Sequence, residues 1–470
     1  MKTLAVLFLL LGVAAAPAQS PPLPAREFRA TWIATVHNID WPSKPGLSAD
    51  AQRTELRAIL QRAADLKLNA VIFQVRPQCD AFYQSSEPWS RFLTGTMGES
   101  PGYDPLEYAI REAHARGLEL HAWFNPFRAL SSTTVPTSSR HVAQRHPEWV
   151  RKYGTQLWLD PGEPEARAYS LGIMMDVVRR YDIDGLHIDD YFYPYPIREG
   201  GSSVPFPDEA TWRRHGHGLA RDDWRRACVS GFVEQLYASI KAEKRSVKFG
   251  VSPFGIWRPG VPETIQADLD SYAHLYADAR HWLREGWCDY LAPQLYWPIQ
   301  PARQSFPVLL QWWRSENVAG RHLWPGLAVD RIGKDRSAQE IVDQLAHTRR
   351  AGPGPGQIYW SGKNVLGDRG GIAKLLRAGA YAELALVPSS PWLDATPPER
   401  PILTKSGGTL AWHADGDGPP HWWLAQWRSS GKWRSRLLPG TTLEMPLPEG
   451  EAFALRAVDR AGNVSEAALR

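Results

Sequence analysis

Cysteine is scarce in this sequence, which has three cysteines in 470 residues: Cys79, Cys228 and Cys288. Their odd number and wide spacing exclude a fold held together by several disulfides, and they also exclude a zinc site built from cysteines. A single disulfide between two of them is left open.

Excess charge of one sign and long apolar runs are also missing. Fifty-four basic residues face 50 acidic ones, a net charge of +4 without a Lys/Arg run, so a nucleic-acid-binding protein is poorly supported. The apolar run over residues 4–16 is too short for a membrane span, and no longer uncharged run follows it. It lies between one lysine and the motif Ala-Pro-Ala, which is typical of a signal peptide over residues 1–18. We therefore expect an exported protein, periplasmic or secreted, without a membrane span.

The histidines do not favour a metal site. His37, His121 and His187 could join Asp189 and Asp190 as ligands, but none of these three lies in an HxH or HExxH motif. We expect neither a metal nor another cofactor.

Short apolar strands alternate with stretches of helical periodicity from about residue 27 to about residue 380. The stretch at 51–67 keeps Leu56 and Leu60 on one face, as an amphipathic helix does. Eight strands, each followed by a helix or by a loop with room for one, predict α/β architecture in the form of a parallel (β/α)8 TIM barrel over residues 25–385. An open doubly wound sheet is the alternative, and the lack of a Gly-rich phosphate turn after the first strand argues against it. The predicted strands are 28–36, 69–75, 118–124, 183–192, 248–255, 288–297, 322–330 and 356–362.

The composition changes near residue 386, where VPSSPWLDATPPERP predicts a Pro/Ser linker over 386–399. Short alternating stretches separated by turn residues fill 400–470 and predict a small fibronectin type III-like β-sandwich. We expect this module to be a spacer, or to dock the protein to the cell wall or another surface, without catalysis of its own.

Aromatic residues are abundant, with 22 Trp, 16 Tyr and 14 Phe. Large rings fill cores, but many of these stand beside Pro, Asp and Asn where a strand passes into a loop. A ring in such a position lines a groove, and the apolar face of a pyranose stacks on it. In an exported protein this pattern favours a glycan as the ligand.

Polar side chains at the carboxyl ends of barrel strands point into the mouth, where the active site of such a fold is built. All eight predicted strand ends carry polar or aromatic residues. A single arginine or aspartate there more often has a structural partner than a substrate, so it is the whole set that indicates a site. The predicted substrate-binding residues are His37, Arg76, Asn125, His187, Tyr191, Trp257, Gln294, Tyr296, Trp297, Asp330 and Trp360.

The fourth predicted strand ends in DGLHIDDYFYPYP, which places two aspartates side by side. Side chains alternate between the two faces of a strand. If Leu186 and Ile188 pack outward against helices, then His187 and Asp189 face inward. Asp190 then reaches the mouth only where the strand bends. Asp189 is the first catalytic candidate and Asp190 the second.

A carboxylate in this position suits glycoside hydrolysis, because the reaction passes through an oxocarbenium-like centre and a second carboxyl protonates the leaving oxygen. No predicted strand end carries an obvious glutamate, and the proton donor is therefore left open. The two loop glutamates more often occupy solvated positions. The candidates are Asp190, Asp330, Asp80, Asp40, Glu87 and Glu148.

Four motifs, FRATWIATVHNIDWPS, NAVIFQVRPQCDAFYQSSEPWS, LHAWFNPFRA and DGLHIDDYFYPYP, together resemble the glycosyl hydrolase-like 10 family over about residues 25–385. That family comprises exported bacterial TIM-barrel proteins related to glycosidases that cut denuded peptidoglycan strands. The resemblance implies a hydrolase whose site includes the two aspartates of the fourth strand.

The fourth strand is also similar to the DGxDxDxE motif of substrate-assisted chitinases. On that register Asp189 corresponds to the carboxylate that steadies the substrate's acetamido group, and Tyr191 stands where the acid glutamate would be. Tyr296 corresponds to an acetamido-binding tyrosine, and Trp360 to the tryptophan that floors the sugar subsite. This likeness of position is an analogy of fold.

We therefore predict a glycoside hydrolase acting on a β-1,4-linked N-acetylhexosamine glycan, with denuded peptidoglycan strands as the expected substrate. The alternatives are a hydrolase of another extracellular polysaccharide and a glycan-binding barrel without turnover.

Overall fold

The computed structural model describes residues 20–416, 418–450 and 452–470. The predicted signal peptide at 1–18 lies outside these residues. The chain forms two compact units, and the division after Pro397 falls inside the predicted linker. The large unit is Pro24–Pro397 with Asp459–Asn463, and the small unit holds the described residues 20–23, Pro398–Val458 and Val464–Arg470.

A curled parallel sheet forms the centre of the large unit. Its strands are β1 (Phe28–Ile33), β2 (Ala70–Arg76), β3 (Glu119–Phe124), β4 (Gly185–Ile188), β5 (Lys248–Val251), β6 (Tyr290–Leu291), β7 (His322–Leu323), β8 (Gly326–Ala328) and β9 (Gly356–Trp360). They lie in the order β7-β6-β5-β4-β3-β2-β1-β9-β8. The strands at the two ends of this order, β7 and β8, are consecutive in the chain and are separated by Trp324 and Pro325. The predicted strand 322–330 is thus two strands, because proline has no N–H for the ladder.

Helices follow the strands along the chain. The predicted helix at 51–67 is observed as α1 (Ala49–Asp65), and it begins where the Ser48 side chain accepts the Ala51 N–H. The longer helices after it are α2 (Pro105–His114), α3 (Pro164–Arg180), α4 (Glu209–His215), α5 (Arg221–Glu243), α6 (Ala279–Glu285), α7 (Phe306–Glu316), α8 (Ala338–Arg350) and α9 (Ile372–Ala378). Short helical turns lie at Val36–Asn38, Arg91–Thr94, Val142–Arg145, Pro147–Trp149, Ser271–His274, Ala302–Gln304, Val329–Arg331, Gly362–Leu366 and Arg369–Gly371. Short paired strands lie at Ala25–Arg26, Arg128–Leu130, Val150–Tyr153, Gln156–Leu159, Arg198–Glu199, Ser202–Ser203 and Ala385–Leu386.

Two hydrophobic clusters sandwich the strands of the sheet. Outward-facing Leu186 and Ile188 belong to the larger cluster, which includes apolar residues of the helices. Inward-facing rings, such as Phe28 stacked on Trp324 with centroids 3.8 Å apart, form the inner cluster. Aromatic side chains therefore occupy the inside of the curled sheet.

Two glycines make room for these inner rings. A Cβ placed on Gly250 would lie 1.9 Å from the Tyr290 ring, and one placed on Gly185 would lie 2.5 Å from His121 Nδ1. Neither distance is sterically possible, so β4 and β5 carry glycine where the two rings cross the interior.

The small unit consists of antiparallel β-sheets. Its core contains Leu410, Trp412, Trp423, Phe453 and Leu455, all buried. One sheet is formed by Ile402–Ser406, Thr409–His413 and Glu444–Pro446, and the other by Trp422–Ser429, Lys432–Pro439, Ala452–Val458 and Ala468–Leu469.

We expect Gly250→Ala to lower the free energy of unfolding by about 1–3 kcal/mol, because the new methyl group overpacks the interior against Tyr290. Gly231→Ala is the matched control: Gly231 lies in α5 with nothing within 4 Å of an added Cβ, and alanine there should stabilise the helix. Denaturant unfolding of both variants measures the difference. Equal stability of the two would contradict this account of the interior.

Candidate active site

Asp189 lies just past the end of β4, at the mouth of the curled sheet, and is 3 % exposed. Its Oδ2 accepts a hydrogen bond from Trp123 Nε1 at 3.0 Å, and Asn125 Nδ2 lies 3.5 Å from the same oxygen. Oδ1 is buried and accepts no hydrogen bond of good geometry from the described residues, and the backbone N–H of Tyr191, which favours the charged form, faces the same carboxyl. The predicted alternation along β4 is confirmed, since Leu186 and Ile188 pack outward and His187 packs against interior rings.

Burial is the main cause that raises the pKa of Asp189 to about 7, and the neighbouring charge of Asp190 adds to it. The Arg128 guanidinium and the Trp123 N–H oppose this rise, because both favour the carboxylate. A carboxyl with such a pKa is partly protonated at neutral pH and still ionises readily.

Asp190 is buried beside it, with 3 % of its surface exposed. β4 ends at Ile188, so regular alternation no longer governs Asp190 and both carboxyls lie in one environment. The Tyr195 hydroxyl donates to Asp190 Oδ2. The Gln294 amide, which donates to the Ser252 carbonyl at 3.0 Å, also faces this carboxyl and favours its charged form. Burial raises the pKa of Asp190, while these two donors partly offset that rise.

Arg128 is the cation of this site. Its guanidinium lies 4.6 Å above the centre of the Tyr191 ring and donates to the Pro77 carbonyl through Nε and Nη2, at 3.2 and 2.8 Å. It lowers the pKa of both Asp189 and Asp190. The predicted binding set lacks Arg128, although the motif WFNPFR places it just after β3 in the sequence.

Trp360, Tyr296 and Asp330 are partly exposed at the same end of the sheet. Trp360 packs edge-on against Trp32 and Trp123, with ring centroids 6.2 Å apart in each case. Burial raises the pKa of Tyr296, and the charges of Asp190 and Asp330 raise it further. The structure therefore brings Tyr296 close to the aspartate pair.

Trp257 and Trp297, two other predicted aromatics, contact residues outside the aspartate pair. Trp257 donates to Asp278 at 3.1 Å and stacks on Trp312 with centroids 6.0 Å apart. Trp297 packs edge-on against Phe254 at 5.5 Å. Both side chains are partly exposed. Their partners Phe254 and Asp278 follow β5 in the chain, and their partner Trp312 lies in α7.

His37 is exposed on the loop after β1, in a left-handed conformation with φ of 52°. Its ring packs edge-on against Phe92 at 5.4 Å. Partial burial and the charges of Arg128 and Arg91 lower its pKa. An uncharged, exposed imidazole is thus available at the rim.

His187 occupies a different place from the one predicted. It is fully buried, and both ring nitrogens have partners: Nδ1 lies 3.0 Å from the Tyr290 hydroxyl, and Nε2 lies 2.9 Å from Ser252 Oγ. Trp32 Nε1 donates to the same Nε2 at 3.2 Å. The predicted substrate contact of His187 is thus replaced by a supporting position beneath the mouth.

Arg76 also has a structural place. Its guanidinium is fully buried and donates to both oxygens of Glu87, at 2.8 and 2.7 Å, and to the Asn125 carbonyl at 2.7 Å. Nothing of Arg76 is open to a substrate. The expectation of a solvated Glu87 is wrong as well, because this carboxylate is buried and also accepts the Tyr169 hydroxyl.

The remaining acid candidates are held elsewhere. Asp40 accepts hydrogen bonds from Ser361, and from the backbone N–H groups of Ala34 and Lys363. Asp80 is buried and accepts the Ser90 hydroxyl, and burial raises its pKa to about 6. Asp190, adjacent to Asp189, and Asp330, whose charge acts on Tyr296, therefore remain as acid candidates.

The cysteines Cys79, Cys228 and Cys288 are free thiols, and the disulfide left open by the sequence is not formed. Within the described residues, no group of three or more His, Cys, Asp or Glu side chains is arranged to hold a metal ion. In the same part of the chain, no helix is long and apolar enough to cross a membrane.

We expect Asp189→Asn to change the pH dependence of stability. The raised pKa means that the folded state binds more protons than the unfolded chain between about pH 4 and 7, so wild-type stability falls as pH rises through that window. Asparagine removes this loss, and the variant should gain on the order of 2 kcal/mol relative to wild type between pH 4 and pH 8. Urea unfolding at both pH values measures it. Asp330→Asn, at a half-exposed aspartate, is the control, and an equal gain there would contradict the assignment.

Known proteins resemble this chain in sequence. The Glycosyl hydrolase-like 10 family model matches residues 27–342. The chain is 44 % identical over 396 residues to "Glycosyl hydrolase YngK" of Bacillus subtilis (strain 168), which covers 81 % of this chain and 77 % of that protein. It is 36 % identical over 333 residues to "Glycosyl hydrolase DigH" of Escherichia coli (strain K12), covering 66 % and 75 %.

A solved structure, the PgaB (BpsB) glycoside hydrolase domain from Bordetella bronchiseptica, aligns with a TM-score of 0.50 and 16 % identity over 76 % of this chain and 98 % of that one. At this identity the likeness concerns the fold, which is TIM-barrel-like. The predicted enzyme class, glycoside hydrolase, is confirmed by relatives that are named glycosyl hydrolases. The match of the family model and the identity to these relatives show that the chain belongs to the Glycosyl hydrolase-like 10 family.

Proposed function

We propose that the protein is an exported glycoside hydrolase that cleaves a β-1,4-linked N-acetylhexosamine glycan, with denuded peptidoglycan strands as substrate. Family membership and relatives named glycosyl hydrolases support the hydrolase. The aromatic mouth supports a sugar ligand. Export to the periplasm or the exterior is proposed from the sequence of residues 1–18, and docking to the cell wall is proposed for the small unit.

The proposed architecture is a closed (β/α)8 barrel followed by a fibronectin type III-like sandwich. The closed barrel is supported by β7 and β8. These strands lie at opposite ends of the sheet order, yet only two residues separate them in the chain. A parallel bridge between Gln294 and Gly326 supports closure at this seam. The sandwich is supported by the two antiparallel sheets of the small unit.

One observation carries the proposal: Asp189 is a buried carboxyl whose Oδ1 accepts no hydrogen bond of good geometry from the described residues and whose pKa is raised to about 7. An unpartnered buried acceptor costs folding free energy. At Asp189 it lies at the mouth of the sheet and beside a second buried carboxyl, Asp190. In a glycosidase the positive charge that develops on the sugar supplies the missing partner.

In the proposed reaction, Asp189 steadies the oxocarbenium-like centre or the acetamido group, and Asp190 donates a proton to the leaving oxygen. The bond between the anomeric carbon and that oxygen breaks, water adds to the carbon, and the proton that this water loses passes to the Asp190 carboxylate. Burial raises the pKa of both carboxyls, that of Asp189 to about 7, so the adjacent pair of aspartates holds a proton near neutral pH. Trp360 would floor the sugar, and Tyr296 would bind its polar groups, while the fully buried Asn125 supports Asp189 from below.

The function is tested with purified protein and glycan strands from which an amidase has removed the stem peptides. We expect shorter saccharides to appear, and Asp189→Asn should lower kcat by about a thousandfold while glycan affinity is retained. Asp343→Asn, at an exposed aspartate of α8, is the control for loss of a carboxylate. Failure of the wild type to cleave these strands, or any other N-acetylated glycan, between pH 4 and 8 would contradict the proposal.

The two aspartates can be told apart with leaving groups of different acidity. An aryl N-acetylglucosaminide with an acidic phenol needs little proton donation. Asp190→Asn should therefore keep at least about a tenth of wild-type kcat on this substrate and lose about a thousandfold on glycan strands. Asp189→Asn should lose activity on both. The reverse pattern would exchange the two roles.

A glycan-binding protein without turnover is the second candidate, and Tyr191 at the place of the acid glutamate favours it. Such a protein would bind the strands with and without Asp189→Asn and release no saccharide in either case. Hydrolysis of another extracellular polysaccharide is a third outcome, and a panel of polysaccharides in the same assay identifies it.

A further inference from the structure

A chain of hydrogen bonds crosses the interior below the mouth, and we name it the interior chain: Glu119, His121, Tyr290 and His187. Glu119 Oε2 lies 3.1 Å from His121 Nε2, and His121 Nδ1 lies 2.8 Å from the Tyr290 hydroxyl. The same hydroxyl lies 3.0 Å from His187 Nδ1. The chain thus connects the start of β3 with the end of β4.

One donor sets the direction of every hydrogen bond in the interior chain. The Trp32 indole N–H can only donate, so His187 Nε2 accepts and the ring proton of His187 sits on Nδ1. This proton is donated to Tyr290, whose own hydroxyl proton is then donated to His121. His121 in turn donates from Nε2 to Glu119. Each group in the series has the partner that it needs.

The surroundings keep this arrangement in place. Tyr290 and both histidines are fully buried, and Gly185 and Gly250 leave the space that the rings fill. Lys248 donates to Glu119 Oε1 at 2.9 Å and, with His121, holds the pKa of this carboxyl below its usual range despite its burial. Burial keeps the pKa of His187 far below its ordinary value, so the ring is neutral.

His187 contacts the rings that shape the mouth. Trp123 packs edge-on against it, with centroids 6.4 Å apart, and donates its N–H to Asp189. Trp32, which donates to His187, packs edge-on against Trp360. The orientation of one imidazole therefore bears on both the reacting carboxyl and the floor of the sugar site.

We propose, building on the proposed hydrolase function, that His187 is a positioning residue: the interior chain holds its neutral imidazole in one orientation, and His187 in turn positions Asp189 through Trp123 and Trp360 through Trp32. His187 does not touch the substrate in this arrangement.

Tyr290→Phe tests the proposal, because it removes the hydroxyl that joins the two imidazoles and keeps the ring. Tyr359→Phe is the matched control. Tyr359 is an equally buried tyrosine on β9, and its hydroxyl lies 2.6 Å from that of Tyr381, outside the interior chain. Both variants lose one buried hydroxyl contact, so a general effect of destabilisation appears in both.

Nitrogen NMR of the histidine rings gives a readout that needs no substrate. We expect the His187 proton on Nδ1 in all three proteins, because Trp32 still donates to Nε2 in each variant. The Nδ1 resonance should shift in Tyr290→Phe, where this N–H loses its acceptor, and should stay unchanged in Tyr359→Phe. A wild-type ring that carries its proton on Nε2, or on both nitrogens, would overturn the proposal.

Carbon NMR of the Asp189 carboxyl is the second readout. In Tyr290→Phe the Trp123 ring is held less firmly, so its N–H stabilises the Asp189 carboxylate less. The midpoint of the Asp189 titration should therefore rise by about half a pH unit. The charged groups facing Asp189, namely Asp190 and Arg128, are the same in both variants. The control should keep the wild-type midpoint.

Kinetics on the glycan strands complete the test. Tyr290→Phe should lower kcat about tenfold and leave KM within about twofold, while Tyr359→Phe changes neither. Wild-type kcat together with an unchanged Asp189 midpoint in Tyr290→Phe would overturn the proposal. A wild type without glycan cleavage would instead contradict the proposed function, and the two NMR readouts would still decide whether the interior chain positions Asp189.

Discussion

Removal of water from the Asp189 carboxyl is the constraint on which the site depends. With 3 % of its surface exposed, the group loses most of its hydration, and Trp123 and Asn125 replace it at one oxygen only. This desolvation keeps a proton available near neutral pH. It also strengthens the attraction between the carboxylate and any positive charge that develops beside it, since the local dielectric constant is low. A wetter mouth would weaken both effects.

The interior that supports this carboxyl differs from the usual barrel filling of branched aliphatic side chains. Here Trp32, Trp123 and Tyr290 fill much of the space, and each brings a polar atom that must be hydrogen-bonded when it is buried. His187 satisfies two of these rings at once. The aromatic rings that fill this interior therefore require the buried polar network, which supplies their hydrogen-bond partners.

The sequence predicts the strand alternation of β4 correctly, because the outward positions are Leu186 and Ile188 and the contrast with Asp189 is sharp. It does not predict which polar strand-end residues face a substrate. Arg76 looks like a binding residue until its partner is known, and that partner, Glu87, stands eleven residues further along an irregular loop. Alternation is a local property, whereas ion pairing across a loop depends on the tertiary fold.

The three free thiols bear on where such a chain can fold. Cys79 and Cys288 are buried, and burial raises the pKa of both thiols well above their ordinary range. Burial also raises the pKa of Cys228, to about 11. Few thiolates exist near neutral pH under these conditions, and the thiolate is the form that exchanges with disulfides. The folded protein therefore depends little on the redox potential around it. Its fold contains no disulfide that an oxidant must form, and it presents few thiolates for an oxidant to attack.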